Sequence, residues 1–129
     1  MVDNFVFPEH KTIIFFYEGA FSAATSQKVM LQLKQAIFDF DGEVMIISHC
    51  KNVKIQDIKL TIELAKFMHE HKRNIKSAIT FGVGGFAKFA YKMLMSLIPD
   101  NQNYQLCEEP IYQFCLKRGI KLQDKYLSY

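Results

Sequence analysis

The chain has 129 residues and a mass of 15.0 kDa, and half of its residues are hydrophobic. That length suits one domain with a sizeable core, which excludes a multi-domain enzyme, and the hydrophobic content excludes a disordered chain. Sixteen Lys and Arg against thirteen Asp and Glu give a net charge of +3. So small a charge does not predict nucleic-acid binding, which normally needs a clustered basic face.

The start of the chain and its cysteines predict a cytoplasmic protein. Residues 1–7 contain Asp3 and lack the basic start and long apolar stretch of a secretory signal. Cys50, Cys107 and Cys115 are odd in number and form no CxxC motif. We therefore expect no disulfide framework and a reducing compartment.

Two apolar segments at the start predict a pair of strands. Val2–Phe7 is short and mostly apolar, and Thr12–Tyr17 is rich in β-branched and aromatic residues. The second segment is typical of a strand buried on both faces, and we expect it to end at Glu18–Gly19. The two strands are expected to pair as an antiparallel hairpin.

A helix, a strand and a loop are predicted next. Ser22–Phe40 has apolar residues at helical spacing, Glu43–His49 contains a buried strand, and Cys50–Gln56 is expected to be a connecting loop. The start of the helix stays open, because three residues could cap it: Ser22, Thr25 and Ser26.

The middle of the chain predicts a second helix and a third long strand. Asp57 is the expected N-cap of a helix that runs to about Arg73, with a polar stripe of alternating charge. Lys76–Val83 predicts the strand, with apolar residues at its centre. A glycine-rich turn follows it.

Phe86–Ile98 predicts a helix that is apolar on nearly all sides. The longer apolar stretch that contains it, Phe81–Ile98, is broken by Gly84, Gly85, Lys88 and Lys92, so it is too interrupted to cross a membrane, which needs about 20 apolar residues. A helix of this kind is buried on more than one side. Two interpretations stay open: the C-terminal tail covers it, or it forms an interaction surface for a second copy, a protein partner or an apolar ligand. The residues expected to form that surface are Phe86, Tyr91, Lys92 and Met95.

The last part of the chain predicts a short strand and a helix. Tyr104–Cys107 is the strand, and Glu108-Glu109-Pro110 is a helix start with acids near the positive end of the helix dipole. This position explains the two acids without a role in acid–base chemistry. Gly119 is expected just after the helix, and residues 120–129 are a tail without assigned structure.

The element order is therefore β-β-α-β-α-β-α-β-α. Strands that alternate with helices predict an α/β fold with a mixed, mainly parallel sheet and one antiparallel strand at the start. We expect one domain over residues 1–119, followed by the C-terminal tail.

Three segments resemble the SpoIIAA-like family within the STAS group of sulfate transporters and anti-sigma factor antagonists. They are Thr12–Gly19, Ile75–Gly82 and Tyr104–Leu116, and the likeness in element order covers residues 2–118. The resemblance implies a compact α/β domain that works by binding. The antagonists of this family carry a phosphorylatable serine in an Asp-Ser-Ser-Gly-type segment. The matching stretch here, Ser48–Asp57, lacks that motif, so no phosphoacceptor is expected.

Glycines between a strand and a helix suggest an anion site or a tight turn. The candidate binding residues are Gly82, Gly84, Gly85 and Lys88, because backbone N–H groups at a helix start, together with a lysine, attract anions. Neither a Walker A nor a GxGxxG pattern is present, which favours the turn.

The remaining polar candidates predict no catalytic or metal site. Ser48, His49 and Cys50 stand where ligands of α/β proteins bind, but His49 and Cys50 are neighbours on a strand and point to opposite faces. His69 and His71 diverge by about 200° on a helix, so they cannot share a zinc ion. We expect no catalytic residues, no metal and no cofactor.

These observations favour a non-enzymatic STAS-like module that acts through protein contacts, with a regulatory role and possible homodimer formation. The alternative is a binder of small apolar or lipid-like molecules. The SpoIIAA-like fold is similar to that of lipid-carrying CRAL-TRIO domains, and the chain is rich in Phe and Met. A thiol enzyme that uses Cys50 is a third and weaker hypothesis. No nucleic-acid partner and no integral membrane segment are expected.

Overall fold

The computed structural model describes residues 1–55, 57–84, 88, 91–92, 95–96, 98 and 102–129. Within these ranges, five strands form one sheet in the order β1-β2-β3-β4-β5. The strands are β1 (Val2–Phe7), β2 (Thr12–Phe21), β3 (Val44–Ile55), β4 (Ile75–Phe81) and β5 (Tyr104–Cys107). The helices with defined bounds are α1 (Ala23–Asp39), α2 (Ile58–Glu70) and α3 (Ile111–Lys117).

The pairing of the strands confirms the predicted mixed sheet. β1 pairs with β2 in antiparallel orientation, and β2–β3, β3–β4 and β4–β5 are parallel pairs. Helical connections between parallel strands place helices on the faces of the sheet, which makes this an α/β fold.

Two predicted strand ends are wrong, because β2 and β3 continue together as a longer ribbon. β2 runs through Gly19 to Phe21, and β3 includes all but the last residue of the segment Cys50–Gln56, which was expected to be a loop. Gly19 has φ +78°, and the register of the pair shifts around it. The glycine therefore forms a bulge in the strand, which bends the pair without ending it.

The sheet has two buried faces because successive side chains of β2 point in opposite directions. Ile13, Phe15 and Tyr17 pack with α1 and α2 on one side, here called the α1–α2 face. Ile14 and Phe16 pack with α3 on the other side, here called the α3 face.

Helix ends confirm two predictions from sequence, Asp57 and Gly119, and decide among the three open caps of α1. Ser22 is the N-cap of α1, where its Oγ accepts a hydrogen bond from the backbone N–H of Thr25 at 3.2 Å. Asp57 is the N-cap of α2, where its Oδ1 accepts a hydrogen bond from the backbone N–H of Lys59 at 2.9 Å. Gly119 follows α3 with φ +74°, the left-handed conformation in which glycine commonly ends a helix.

The tail, residues 120–129, packs on the α3 face. The Tyr126 ring stacks on Phe16 with 3.8 Å between ring centroids, and its hydroxyl donates to the Asp3 carboxylate at 3.1 Å. Its buried side chains are Ile120, Leu122 and Tyr126. The tail therefore does not cover Tyr91, which lies on the α1–α2 face. Cover of the rest of Phe86–Ile98 by the tail falls outside the described residues and stays a prediction. The domain boundary at residue 119 stays a prediction.

The predicted helix Phe86–Ile98 lies partly outside the described residues, which exclude Phe86 itself. Five residues of this segment have helical backbone conformation: Lys88, Tyr91, Lys92, Met95 and Ser96. Among the residues that the structure describes, no helix is long and apolar enough to span a membrane.

Candidate functional site

A cavity of about 190 Å³ lies on the α1–α2 face of the sheet. The sheet supplies its floor, α1 and α2 supply apolar side chains, and Tyr91 and Met95 border it as well. Strand alternation turns Phe15 and Tyr17 toward it, and the small side chain of Ala78 leaves room on the floor. The described lining side chains are predominantly hydrocarbon and aromatic, which is typical of a ligand pocket.

A compact group of hydroxyl and thiol side chains interrupts this apolar lining. Tyr17 lies opposite Cys50 in the β2–β3 pair, and Ser48 lies opposite Thr80 in the β3–β4 pair. The hydroxyl of Ser48 lies near that of Tyr17 and acts to lower the pKa of Tyr17, and Thr80 acts on Tyr91 in the same way. These five residues, Tyr17, Ser48, Cys50, Thr80 and Tyr91, are called the hydroxyl patch below.

The hydroxyl patch is electrically neutral near pH 7. Burial raises the pKa of the Cys50 thiol to about 12, so the thiol stays protonated. Burial also raises the pKa values of Tyr17 and Tyr91 above their usual value of 10.0. A protonated, buried thiol is a poor nucleophile, which argues against the hypothesis of a thiol enzyme.

His49 lies on the opposite face from Cys50, as the alternation along the strand predicts. Its ring is only 7% exposed and packs against Tyr129, with 4.8 Å between ring centroids. Its Nδ1 atom has no hydrogen-bond partner among the described residues. Burial, and then the charge of Lys51, lower the pKa of His49. His49 and Cys50 therefore do not form a base–nucleophile pair.

The glycine turn after β4 has a steric explanation. Gly82 has φ +76°, and a Cβ atom there would lie 2.6 Å from the Cys50 carbonyl oxygen and 2.8 Å from Nε2 of His49. Only glycine fits such a position without strain. Gly84 has open space around it, and Gly85 lies outside the described residues.

The two acids before α3 form ion pairs with lysines. Nζ of Lys88 donates to Glu108 at 2.8 Å, and Nζ of Lys117 donates to Glu109 at 3.1 Å. The hydrogen bond from Lys88 lowers the pKa of Glu108. Because Lys88 already binds a carboxylate, less of its charge is available to another anion. An anion site at the glycine turn stays a prediction.

The structure brings together some of the predicted site residues. Tyr91 and Met95 are half-buried beside the cavity, Lys92 is exposed, and Phe86 lies outside the described residues. The sequence analysis missed Tyr17 and Thr80 as parts of a site. The sequence does show a polar residue within each of two buried strands, Ser48 and Thr80. Whether the two lie side by side depends on the register of the strand pair, which the sequence does not show. No group of three or more potential metal ligands occurs among the residues described.

Comparisons with known proteins agree with this architecture. No protein-family model and no curated protein matches the chain. The solved structure of the anti-sigma factor antagonist SpoIIAA in its unphosphorylated form is similar, with a TM-score of 0.60 and 11% sequence identity. The match covers 93% of this chain and 100% of that one. The chain therefore has a STAS/SpoIIAA-like fold, as the resemblance predicted.

Proposed function

We propose that this chain is a non-enzymatic binding module that holds a small apolar molecule in the cavity of the α1–α2 face. The observation that carries this proposal is the apolar cavity of about 190 Å³ beside Tyr91 and Met95. An engineered apolar cavity of about 150 Å³ in another protein binds benzene. Apolar side chains that line an unfilled cavity lose van der Waals contacts. A bound ligand restores part of the lost contacts.

The chemistry of the cavity supports a binding role over catalysis. Its thiol is protonated near neutral pH, because burial raises the pKa of Cys50 to about 12. The histidine next to that thiol in sequence faces the other side of the sheet. No cofactor is needed for this role, and none is proposed. The cytoplasmic location stays a prediction.

A cavity-filling variant tests the proposal. Ala65 of α2 lines the cavity, so Ala65→Leu is expected to fill part of it while keeping a good helix former. Saturating benzene should raise the Tm of the unaltered protein by several degrees through mass action, and should raise it much less in the variant. Ala24→Leu, at an exposed position of α1, is the matched control and should respond like the unaltered protein.

Two results of this thermal-shift experiment would contradict the proposal. One is a Tm of the unaltered protein that benzene leaves unchanged. The other is an equal rise in the Ala65→Leu variant. Native mass spectrometry of freshly purified protein provides a second measurement, because a retained small molecule adds a defined mass.

A regulatory role through protein contacts is the second candidate, and we propose it on an observation from α1. Leu31 is 66% exposed and Phe38 is 83% exposed. Seven positions apart on a helix, they lie on one side of it, with the exposed Lys34 and Gln35 between them. The similar fold of an anti-sigma factor antagonist also favours a protein partner. In this candidate, the partner is another protein or a second copy of the chain.

Self-association is measurable by sedimentation velocity. The surface predicted from sequence centred on Tyr91, but that side chain borders the cavity, so Tyr91→Asp is expected to lower stability as well. Phe38→Ser is the sharper variant, and it should shift a dimer toward monomer. Leu116→Ser, at a 70% exposed position of α3, is the control and should leave the equilibrium unchanged. A monomer for every form would contradict a homodimer.

A further inference from the structure

We infer that the ligand of the cavity is an uncharged molecule of about one ring in size, with one hydrogen-bonding group that binds at the hydroxyl patch. This inference rests on the proposed function and names the chemical class of the ligand.

The hydroxyl patch gives the cavity a polar area on an otherwise apolar surface. Tyr17–Cys50 and Ser48–Thr80 are neighbouring pairs on three adjacent strands, so their side chains form one block on the sheet. The helices line the cavity with hydrocarbon, contributed by Val29 and Leu33 of α1 and by Leu64 and Met68 of α2. A ligand that fits both surfaces has an apolar body and one polar group.

The polar group of the ligand is expected to be neutral. No described residue that lines the cavity is charged. A carboxylate or an ammonium group would lose its hydration there without gaining an opposite charge, which is strongly unfavourable. Serine, threonine and tyrosine hydroxyls can each donate and accept a hydrogen bond, so they suit a hydroxyl or a carbonyl group.

The volume of the cavity limits the size of the ligand. About 190 Å³ exceeds the roughly 150 Å³ of a cavity that binds benzene, and it is smaller than the roughly 300–1,000 Å³ of pockets for drug-sized molecules. A small phenol, or an alcohol or ketone with a short chain, fits these limits. A long acyl chain would extend beyond the cavity.

Three ligands of similar size test this inference by isothermal titration calorimetry: p-cresol, p-xylene and p-toluate. p-Xylene replaces the hydroxyl of p-cresol with a methyl group of similar volume, and p-toluate carries a carboxylate. We expect p-cresol to bind roughly three- to tenfold more tightly than p-xylene, because its hydroxyl forms one neutral hydrogen bond with the hydroxyl patch. p-Toluate should bind at least about tenfold more weakly than p-cresol, because of the desolvation of its charge.

Each outcome of this titration decides between the proposals. Equal affinities for p-cresol and p-xylene would overturn the role of the hydroxyl patch while leaving the apolar cavity as a binding site. Binding of p-toluate as tight as that of p-cresol would overturn the neutrality of the ligand. Failure of all three to bind would overturn the proposed function as well.

Substitutions in the hydroxyl patch test whether it causes the preference for p-cresol over p-xylene. The double variant Thr80→Val/Tyr91→Phe removes two neighbouring hydroxyls of the hydroxyl patch, and we expect it to lower the ratio of p-cresol to p-xylene affinity at least about twofold. Ser48→Ala is a second, milder variant and should change the ratio in the same direction. Unchanged p-xylene affinity in each variant would show that the cavity is intact.

Thr61→Val is the matched control for these variants. Thr61 also lines the cavity, but its hydroxyl already donates to the backbone carbonyl of Ile58 at 2.7 Å. Its removal is expected to leave the affinity ratio unchanged. A ratio that falls equally in Thr61→Val, or one that stays constant in both patch variants, would overturn the inference.

Discussion

At the scale of single residues, Gly82 joins the sheet to the segment that borders the cavity. Its positive φ and its close approach to the backbone of Cys50 exclude a side chain. The turn lies at the carboxyl ends of the parallel strands, where ligands bind in α/β folds.

We predict that Gly82→Ala destabilises the domain by about 2 kcal/mol, because the new Cβ meets the Cys50 carbonyl and the φ angle is unfavourable for alanine. Urea unfolding followed by circular dichroism measures the change. Gly84→Ala is the control, since a Cβ atom there meets nothing within 4 Å. It should change stability by less than about 0.5 kcal/mol. Equal effects of the two substitutions would show that the turn is not sterically constrained.

His49 makes stability depend on pH. Its pKa is lowered from 6.5 in the folded protein, mainly by burial. The unfolded chain therefore binds the proton more readily, so the contribution of this residue is complete above about pH 6.5 and is lost as the pH falls toward the lowered folded value.

We predict that the free energy of unfolding falls between pH 7 and pH 5, and that His49→Phe removes part of that fall. Urea unfolding at several pH values measures both slopes. At pH 8 the histidine is neutral in both states, so this pH gives the baseline for comparing the two proteins. Identical slopes between pH 7 and pH 5 would contradict a role for this histidine.

At the scale of elements, helix caps were easier to predict from the sequence than strand ends. Asp57 was recognised as a cap, and Ser22 was one of three candidates for the other, because a cap depends on a few neighbouring residues. The ends of β2 and β3 were mispredicted because they depend on pairing between distant segments. The polar stretch after Cys50 looks like a loop in isolation, but the parallel partner across the bulge at Gly19 extends it as a strand.

The residues around the cavity were also only partly predictable from the sequence. Tyr91 and Met95 were recognised because their helix is apolar on a second side, and this is visible from helical spacing alone. The hydroxyl patch needed the strand register, since Ser48 and Thr80 are 32 positions apart in the chain and meet only through parallel pairing. Periodicity does not contain that information.

At the scale of the whole molecule, the sheet separates two cores with different roles. The α3 face is filled by α3 and the tail, where Tyr126 is 2% exposed and stacks on Phe16. The α1–α2 face contains the cavity. Substitutions without shared partners usually have additive effects, so stability and ligand binding should be separable between the two faces.

We predict that Tyr126→Phe, which removes the hydrogen bond to Asp3, lowers stability by about 1 kcal/mol and leaves p-cresol affinity within about twofold. Ala65→Leu should show the reverse, with stability maintained and p-cresol binding lost. Urea unfolding and calorimetry on the same preparations measure both quantities. If Tyr126→Phe weakens p-cresol binding by much more than twofold, the sheet transmits changes between its faces. The cavity would then depend on how the tail packs.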